Sequence, residues 1–393
     1  ALFLLFFFFS FGLLFAAALP VSIGDAARGG DVGVALGNTA LVVGFFLAGK
    51  AQFQTRSRAI SGIERELELG DMSIERKDAF GNARIGPLKE CRGTLRIALV
   101  YGTPERLQDD IRRASIYRRR LVEAGVLVVP VLSTSAPEDV EAVLAVEGTG
   151  TGRWVTKPVQ SKTWQGYFNN LLKTSSLTDG AYITLGTSGR VRGSGIGSPR
   201  WDVLVSTFPK NRQGVEDPTA PPEGVLSGCS PEEADEILAE HKAFYRLLEA
   251  GDNAGMAALW AEAAGAAVDG VITDFCARGA RQDGWETVLR DDRRPIGMTI
   301  SDADVLVRSD DAWVTAVETA PGGGATLLAT QQFQRTNGKW SVVLHETVPW
   351  GKNTVAQVVL RCDARGCVAV PAKVMNSFDR PQYGSIGGPP PTP

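Results

Sequence analysis

Two long apolar runs open the chain, and a short polar link separates them. The first covers residues 1–24 and meets no charged residue before Asp25, while the second covers residues 32–49 and ends at Lys50. A helix needs about 20 consecutive apolar residues to cross the hydrocarbon core of a bilayer. The pattern therefore predicts two transmembrane helices within residues 1–50, arranged as a hairpin.

A secretory signal peptide is the alternative for the first run, because the small residues within 15–20 resemble a cleavage site. The second run, which follows directly, favours the hairpin. Lys50, Arg56 and Arg58 come next, and positive charge gathers on the cytoplasmic side of a membrane. The rest of the chain is therefore expected to face cytosol, stroma or matrix.

Residues 51–70 are predicted to form an amphipathic connector helix. Phe53, Ile60, Ile63 and Leu67 recur at near-helical spacing among charged residues. We expect this apolar face to pack against the domain that follows.

Strands and helices alternate in residues 71–209. An apolar strand at 95–101 leads into a helix from Thr103 to Gly125 and then into a second apolar strand at 126–132. Two strands joined by a helix pair in parallel and are buried on both faces. Further helices and a closing antiparallel hairpin complete a pattern that is similar to a thioredoxin-like sheet.

The corner between the first strand and its helix carries no cysteine. Redox-active relatives of this fold have a Cys-x-x-Cys pair there, whereas residues 101–104 read Tyr-Gly-Thr-Pro. Thiol–disulfide activity is therefore not expected in this domain. The glycine-rich segment 189–201 matches neither standard phosphate-loop spacing, so we interpret it as a structural turn before a helix at 201–208.

A linker rich in proline and glycine at residues 210–229 precedes a second domain at residues 230–372. Its helices come first, and its predicted strands are Val268–Phe275, Ile296–Val307, Ala312–Thr319, Ala325–Arg335 and Trp340–Val348. The Asn-Gly pair at 337–338 is typical of a hairpin turn. Helices followed by a curled antiparallel sheet predict an α+β cone. Residues 373–393 are predicted to be an extended tail.

The chain has five cysteines, a scattered odd set that suits a reducing compartment. Cys362 and Cys367 flank a predicted hairpin turn and could face each other across two strands. Two reduced thiols are the favoured interpretation, and a disulfide or redox switch is the alternative. The net charge of −3 offers no basic field for nucleic acid, and neither a metal nor a cofactor is predicted.

Ordered motifs over about residues 1–210 resemble the low-photosystem-II-accumulation family of thylakoid proteins. They are the two membrane spans, Arg96–Gly102, Tyr117–Leu121, Gly125–Val131, Arg190–Gly195 and Pro199–Asp202. The resemblance implies a chloroplast thylakoid membrane protein surrounded by thylakoid lipid, with soluble domains in the stroma that bind photosystem II core subunits. The candidate binding residues in the family motif are Arg192, Gly193, Ser194, Gly195, Pro199 and Trp201.

The second domain resembles the SnoaL-like, nuclear-transport-factor-type superfamily. The resemblance rests on Phe244-Tyr245, Gly251-Asp252, Leu259-Trp260, Gly284-Trp285, Trp313-Val314 and the Asn337–Trp340 turn before His345. It implies a cone pocket with Trp260, Asp274, Trp285, Trp313 and His345, in which Asp274 or Asp269 would be the acid–base partner of His345. The superfamily includes isomerases, cyclases, dehydratases and binding modules, so the fold does not determine the function. Plant relatives often have a His-Pro pair where this chain reads Thr273–Ala277, and catalysis is not expected.

These patterns predict a membrane helical hairpin followed by an α/β thioredoxin-like domain and an α+β SnoaL-like cone. The favoured function is that of a non-enzymatic thylakoid factor that assists photosystem II assembly through protein-binding domains in the stroma. One alternative is a stable accessory subunit of photosystem I or II. A membrane-anchored enzyme that uses the cone pocket is the other.

Overall fold

Two segments that are buried along their whole length, Arg96–Gly102 and Val126–Leu132, pair as parallel strands in the computed structural model of the chain. The chain divides into two units, Ala1–Asp71 and Met72–Pro393. The structure describes residues 65–77, 82–134, 137–145, 154–172, 180–208, 229–260, 282–292, 296–323, 326–351 and 358–371, together with residues 27, 28 and 294.

The first unit is described mainly at its end, where residues 65–71 are helical within the predicted connector. The predicted membrane hairpin lies outside the described residues, apart from residues 27 and 28, and nothing supports it. In the described ranges, no helix is both long enough and apolar enough to cross a bilayer. The predicted strand at 268–275 and the predicted tail at 373–393 also lie outside the described residues, as does the predicted linker apart from Cys229.

Residues 72–208 form an α/β part. Its strands are β1 Ser73–Lys77, β2 Ala83–Pro87, β3 Arg96–Gly102, β4 Val126–Leu132, β5 Lys157–Pro158, β6 Ala181–Leu185 and β7 Val191–Ile196. Its helices are α1 Pro104–Ser115, α2 Arg118–Glu123, α3 Pro137–Leu144, α4 Ser161–Leu171 and α5 Trp201–Thr207.

The main sheet of the α/β part has the strand order β4-β3-β6-β7, in which only the β3–β4 pair is parallel. A smaller sheet has the order β2-β1-β5. Helix α1 begins directly after β3 because Thr103 caps it through a hydrogen bond from the Arg106 backbone N–H and Pro104 occupies its first turn. The strand–helix–strand unit predicted from the sequence is therefore present.

Two predictions for the α/β part were wrong in detail. The predicted single helix from Thr103 to Gly125 is divided into α1 and α2, and Tyr117 at the break turns its hydroxyl toward Thr330 of the second domain. The predicted closing hairpin of residues 181–185 and 190–192 is present, but its second strand, the edge strand β7, continues through residues 193–196, which had been interpreted as a turn.

Residues 230–371 form the cone. Its strands are β8 Gln282–Asp283, β9 Thr299–Arg308, β10 Asp311–Thr319, β11 Thr326–Thr336, β12 Lys339–Pro349, β13 Val358–Asp363 and β14 Gly366–Pro371. Its helices are α6 Pro231–Ala250, α7 Asn253–Leu259 and α8 Trp285–Val288. The described strands form one antiparallel sheet in the order β8-β14-β13-β12-β11-β10-β9.

Local signals explain where the cone elements start and stop. Ser230 caps α6 through a hydrogen bond from the Glu233 backbone N–H, and Gly251 ends the same helix with a φ of 69°. Asn337 and Gly338 adopt φ values of 54° and 78° in the turn between β11 and β12, which is the turn predicted from the sequence.

The α/β part and the cone share one hydrophobic core. Leu328, Val348 and Val368 on the outer face of the cone sheet pack in a cluster with Trp201 and Val205 of α5. The opposite, inner face of the sheet packs against Phe244 and other residues of α6. The inner face is therefore where the cone has room for a site.

Candidate functional site

A cavity of about 310 Å³ lies between the inner face of the cone sheet and helix α6. Its wall is mainly apolar and contains Phe244, Leu248, Trp285, Val288, Met298 and Leu360. Its polar groups are Tyr245, Asp283, Glu318 and His345, and Cys362, Cys367 and Ala369 complete the wall. Cavities of this size and composition are typical of sites for small organic molecules.

A β-bulge decides that His345 faces the cavity. Strands β11 and β12 pair in regular alternation until a register shift occurs between the Gln332 and Phe333 pairs, where Val343 of β12 is the extra residue. Before the shift, Trp340 and Val342 of β12 lie in the cone core. After it, the alternation is inverted, so that His345 points inward.

The polar end of the cavity is formed by three side chains from three elements. The Tyr245 hydroxyl of α6 donates a hydrogen bond of 2.7 Å to Glu318 Oε1 of β10. His345 Nε2 of β12 lies 3.6 Å from the same oxygen. Glu318 and His345 are 2% and 3% exposed, so water has little access to this group.

The group continues away from the cavity through Gln331 to the second histidine of the chain. Gln331 Oε1 lies 2.7 Å from His241 Nδ1, and Gln331 Nε2 lies 3.2 Å from His345 Nδ1. With the amide in this orientation, His241 donates from Nδ1 and His345 accepts at Nδ1. The proton of neutral His345 is then on Nε2, the nitrogen that faces Glu318.

Burial controls the charges of this group. It raises the pKa of Glu318 to about 7, against a smaller lowering by the Tyr245 hydrogen bond. It lowers the pKa of His345 to about 3, with His241 adding a like-charge effect, and lowers the pKa of His241 to about 4. Both histidines are therefore neutral near pH 7, and the contact between Glu318 and His345 is not an ion pair. Glu318 is the group that gains or loses a proton in this range.

The structure brings together some of the residues predicted for the pocket and separates others. His345 and Trp285 line the cavity, while Trp260 lies in the core, with its ring centroid 5.4 Å from that of Trp285. The prediction for Trp313 was wrong, because its side chain lies on the other face of β10, beside the Arg308 guanidinium. Asp269 and Asp274 lie outside the described residues.

Glu318 is the acidic partner of His345, and sequence reasoning missed it. A signal was present, because Ala312, Val314 and Ala316 alternate along β10 on the face that Glu318 continues. A single carboxylate at the inward position of an otherwise apolar alternation indicates a buried acid. The aspartates predicted from the sequence as partners of His345, Asp269 and Asp274, belong to an earlier segment of the chain.

The residues of the family motif have structural roles in the α/β part. Arg192 donates to the Thr207 carbonyl at 3.0 Å and stacks over the ring of Phe208. Gly195 is required because a Cβ there would lie 2.7 Å from the Tyr182 ring. The remaining motif residues are Gly193 and Ser194, which pair with β6, and Pro199 and Trp201, which are buried.

Cys362 and Cys367 form a disulfide, whereas two reduced thiols were the favoured interpretation of the sequence. The two residues are directly opposite each other on β13 and β14, with their Cα atoms 4.0 Å apart. This close approach is characteristic of an antiparallel pair that does not exchange backbone hydrogen bonds. The hairpin predicted between the two cysteines is present.

Comparisons with known proteins recognise both parts of the chain. Residues 237–348 match the family model of a SnoaL-like domain. A proposed dehydratase of the NTF2-like family from Streptomyces avermitilis is 23% identical, over 30% of this chain and 98% of its own, with a TM-score of 0.22. The cone is therefore a SnoaL-like, NTF2-like domain. A comparison with curated proteins gave no match.

The α/β part has thioredoxin-like neighbours. A proposed electron transfer protein from Aquifex aeolicus is 15% identical, over 35% of this chain and 90% of its own, with a TM-score of 0.26. A secreted disulfide oxidoreductase from Mycobacterium tuberculosis is 10% identical, over 36% of this chain and 94% of its own, with a TM-score of 0.25. Identities and TM-scores this low carry no statement about activity. None of the comparisons supports the resemblance of residues 1–210 to the low-photosystem-II-accumulation family.

Proposed function

We propose that the cone binds a small, mainly apolar molecule in its cavity and that Glu318 forms the polar contact with it. The observation that carries this proposal is a fully buried carboxyl group at the polar end of an apolar cavity, with its pKa raised to about 7. A carboxyl group in such a place costs folding free energy, and groups of this kind concentrate at functional sites. The hydrogen bond from Tyr245 orients this carboxyl group, and His345 Nε2 lies 3.6 Å from the same oxygen.

The arrangement defines the chemistry that the ligand should have. A protonated Glu318 can donate a hydrogen bond to a carbonyl oxygen, and an ionised Glu318 can accept one from a hydroxyl group. The same carboxyl can take a proton from a bound molecule or return it, since its pKa lies near neutral pH. Apolar rings such as Phe244 and Trp285 would contact the remainder of the ligand.

Fluorescence titration with 2-naphthol tests the proposal, because this probe is an apolar two-ring molecule with one hydroxyl group. We expect saturable binding whose affinity changes as Glu318 ionises around pH 7. Glu318→Gln should remove that pH dependence. Glu346→Gln is the matched control, because Glu346 lies on β12 of the same sheet but on the opposite face, where it binds Arg361. Absence of saturable binding, or the same pH dependence in Glu318→Gln, would contradict the proposal.

A second candidate function is that of a non-enzymatic photosystem II assembly factor in the thylakoid membrane, with the α/β part and the cone in the stroma as docking surfaces. The observation in its favour is the corner between β3 and α1. There, Thr103 caps the helix and Tyr101 donates a hydrogen bond to Asn169, at the positions where redox-active relatives of this fold carry a cysteine pair.

Affinity purification from thylakoids in mild detergent tests this second candidate. Co-purification of unassembled photosystem II core proteins would support it, and a mature photosystem at fixed stoichiometry would indicate a resident subunit. His345→Ala separates the two proposals, since an assembly factor should keep its function. Loss of function at normal accumulation would assign the function to the cavity.

A further inference from the structure

The disulfide lies in the same row of the cone sheet as the histidine of the cavity. His345 on β12 is directly opposite Cys362 on β13, and Cys362 is directly opposite Cys367 on β14. Gln331 precedes His345 in this row on β11. Residues opposite one another on neighbouring strands project from the same face of a sheet. The disulfide is therefore part of the inner face that surrounds the ligand cavity.

Among the residues that the structure describes, Cys362 and Cys367 border the cavity, which is therefore a route to the disulfide. Cys362 and Cys367 are 2% and 4% exposed, which leaves little contact with bulk solvent. Both line the cavity, together with Leu360 and Ala369 of the same hairpin. Val368 faces the opposite side, where the α/β part covers the sheet. A reagent that reaches the sulfur atoms from the cavity must therefore be small.

We propose that the Cys362–Cys367 disulfide is a redox site that a small thiol reaches through the ligand cavity, so that the occupant of the cavity and the redox state of the disulfide control each other. The mutual control rests on the proposed ligand site, whereas access of a small thiol does not. Linkage requires the two effects to be reciprocal: a ligand that blocks reduction must bind more tightly to the oxidised protein than to the reduced one.

The reaction is a two-electron thiol–disulfide exchange with a small dithiol. One thiolate of the dithiol attacks a cysteine sulfur, the S–S bond breaks, and the released cysteine thiolate takes up a proton. The second thiol of the reagent then attacks the mixed disulfide as its thiolate. The products are two cysteine thiols and the cyclic oxidised reagent, so the dithiol loses the two electrons that the protein gains.

Reduction should loosen one wall of the cavity. The described pairing of β13 with β12 consists of two residue pairs, His345 with Cys362 and Glu346 with Arg361. The pairing of β14 with β8 is equally short. Because these ladders to the neighbouring strands are short, the positions of Leu360 and Ala369 in the wall depend on the bonds within the hairpin, which are the six β13–β14 residue pairs and the disulfide. Its loss should therefore change the affinity of the cavity for a ligand.

The redox state can be measured at this disulfide alone, without interference from the other cysteines. Trypsin cleaves after Arg361, Arg365 and Lys373, so the oxidised protein gives residues 362–365 and 366–373 as one linked species. After reduction and alkylation, the same residues appear as two separate peptides. The full-length folded protein is treated with dithiothreitol or with a reduced thioredoxin, alkylated with N-ethylmaleimide and digested.

We expect dithiothreitol to reduce the disulfide in the folded protein and the larger protein reductant to leave it intact. Ala369→Trp, which narrows the cavity next to Cys367, should slow reduction by dithiothreitol by about tenfold. Ala83→Trp at an exposed position of β2 is the control of equal size and should leave the rate unchanged. Equal rates in the two variants, or equally rapid reduction by thioredoxin, would overturn access through the cavity.

Mutual control is tested with 2-naphthol as the cavity probe. The probe should slow reduction in proportion to its occupancy, and its affinity should differ between the oxidised protein and the Cys362→Ser/Cys367→Ser variant. If dithiothreitol reduces the disulfide through the cavity but the probe does not bind, the proposed function is contradicted and the proposed redox site is retained. A probe that binds without changing the reduction rate would remove mutual control and leave the ligand site standing.

Discussion

The hydroxyl groups of Tyr117 and Thr330 lie 2.9 Å apart, although 213 positions separate the two residues along the chain. This contact joins the break between α1 and α2 to the outer face of the cone sheet. After the break, Arg119 binds Asp302 and Asp304 in the middle of β9, and Arg120 binds Asp302. The α/β part and the cone are thus connected by buried polar contacts as well as by the shared hydrophobic core.

Arg120→Ala should destabilise the joint between the two parts. The Arg120 guanidinium is 2% exposed, and it binds the side chain and the backbone carbonyl of Asp302. Removing one member of a buried ion pair costs about 3–5 kcal/mol when the remaining charge has no other partner. Asp302 keeps Arg119, so we expect a loss at the lower end of that range, mainly because the Asp302 carbonyl loses its donor. Urea unfolding, followed by limited proteolysis between the two parts, measures the effect.

Arg113→Ala is the control for this substitution, because Arg113 forms a half-exposed pair with Asp109 within α1. Such surface pairs contribute about 0–1 kcal/mol. Equal losses of unfolding free energy in Arg113→Ala and Arg120→Ala would contradict the role assigned to the joint.

Glu318→Gln should gain stability relative to the wild type as the pH rises. Burial raises the pKa of Glu318 from 4.5 to about 7, so the wild type takes up a proton on folding between these values. This contribution to the unfolding free energy is complete below pH 4.5 and lost as the pH rises through 7. The corresponding difference is about 3 kcal/mol. Urea unfolding of both proteins on either side of this pH window measures it.

The two histidines provide an internal check on this prediction. Burial lowers the pKa of His345 from 6.5 to about 3 and that of His241 to about 4. Their contribution is therefore present above pH 6.5 and lost as the pH falls, which is the opposite direction from Glu318. The loss of unfolding free energy at acidic pH, which comes from the histidines, should persist in Glu318→Gln. A constant difference between variant and wild type across the window would contradict the buried-acid assignment.

Tyr245→Phe should raise the pKa of Glu318 above its value of about 7. The Tyr245 hydroxyl donates to Glu318 Oε1, and this hydrogen bond favours the ionised carboxylate. Carbon-13 NMR titration of the glutamate side chains measures the change. Tyr101→Phe is the control, because the Tyr101 hydroxyl binds Asn169 in the α/β part. An identical pKa of Glu318 in the wild type and in Tyr245→Phe would show that the Tyr245 hydrogen bond does not affect Glu318.

Gly366→Ala should weaken the hairpin that carries the disulfide. Gly366 has a φ of 133°, and a Cβ there would lie 2.1 Å from the Asp283 carbonyl oxygen and 2.8 Å from Gly284 Cα. Strands β14 and β8 would have to separate, at a cost of about 2 kcal/mol or more. Gly338→Ala provides the comparison, since its φ is 78° but a Cβ would meet nothing within 4 Å. Thermal unfolding should show the larger loss for Gly366→Ala, and the reverse order would be inconsistent with the close packing at Gly366.

Alternation of apolar and polar residues locates most strands of the cone, because each strand has one covered face and a regular period of two. The turn at Asn337 and Gly338 was also predictable from the sequence, since Asn and Gly are the residues that most readily adopt the positive φ values seen there. The inward direction of His345 was not derivable in the same way. It depends on a bulge at Val343, and an extra residue in a strand leaves the sequence pattern ambiguous.

In the α/β part, too, contacts between distant residues decide features that the local sequence pattern does not predict. The helix from Thr103 to Gly125 keeps its apolar period through Tyr117, so local pattern predicts no break there. The break coincides with a contact to Thr330, which no local pattern contains. Glycines at 193 and 195 disfavour a strand locally, yet β7 forms by pairing with β6, and the Tyr182 ring occupies the space beside Gly195 that a side chain would need.

The covered outer face of the cone limits how the gene can recombine. Leu328, Val348 and Val368 become solvent-exposed if the cone is separated from the α/β part, and Trp201 and Val205 are uncovered at the same time. Contiguous apolar surfaces of this kind promote association of unrelated chains. Transfer of the cone alone into another protein would therefore require a recipient surface that covers these residues.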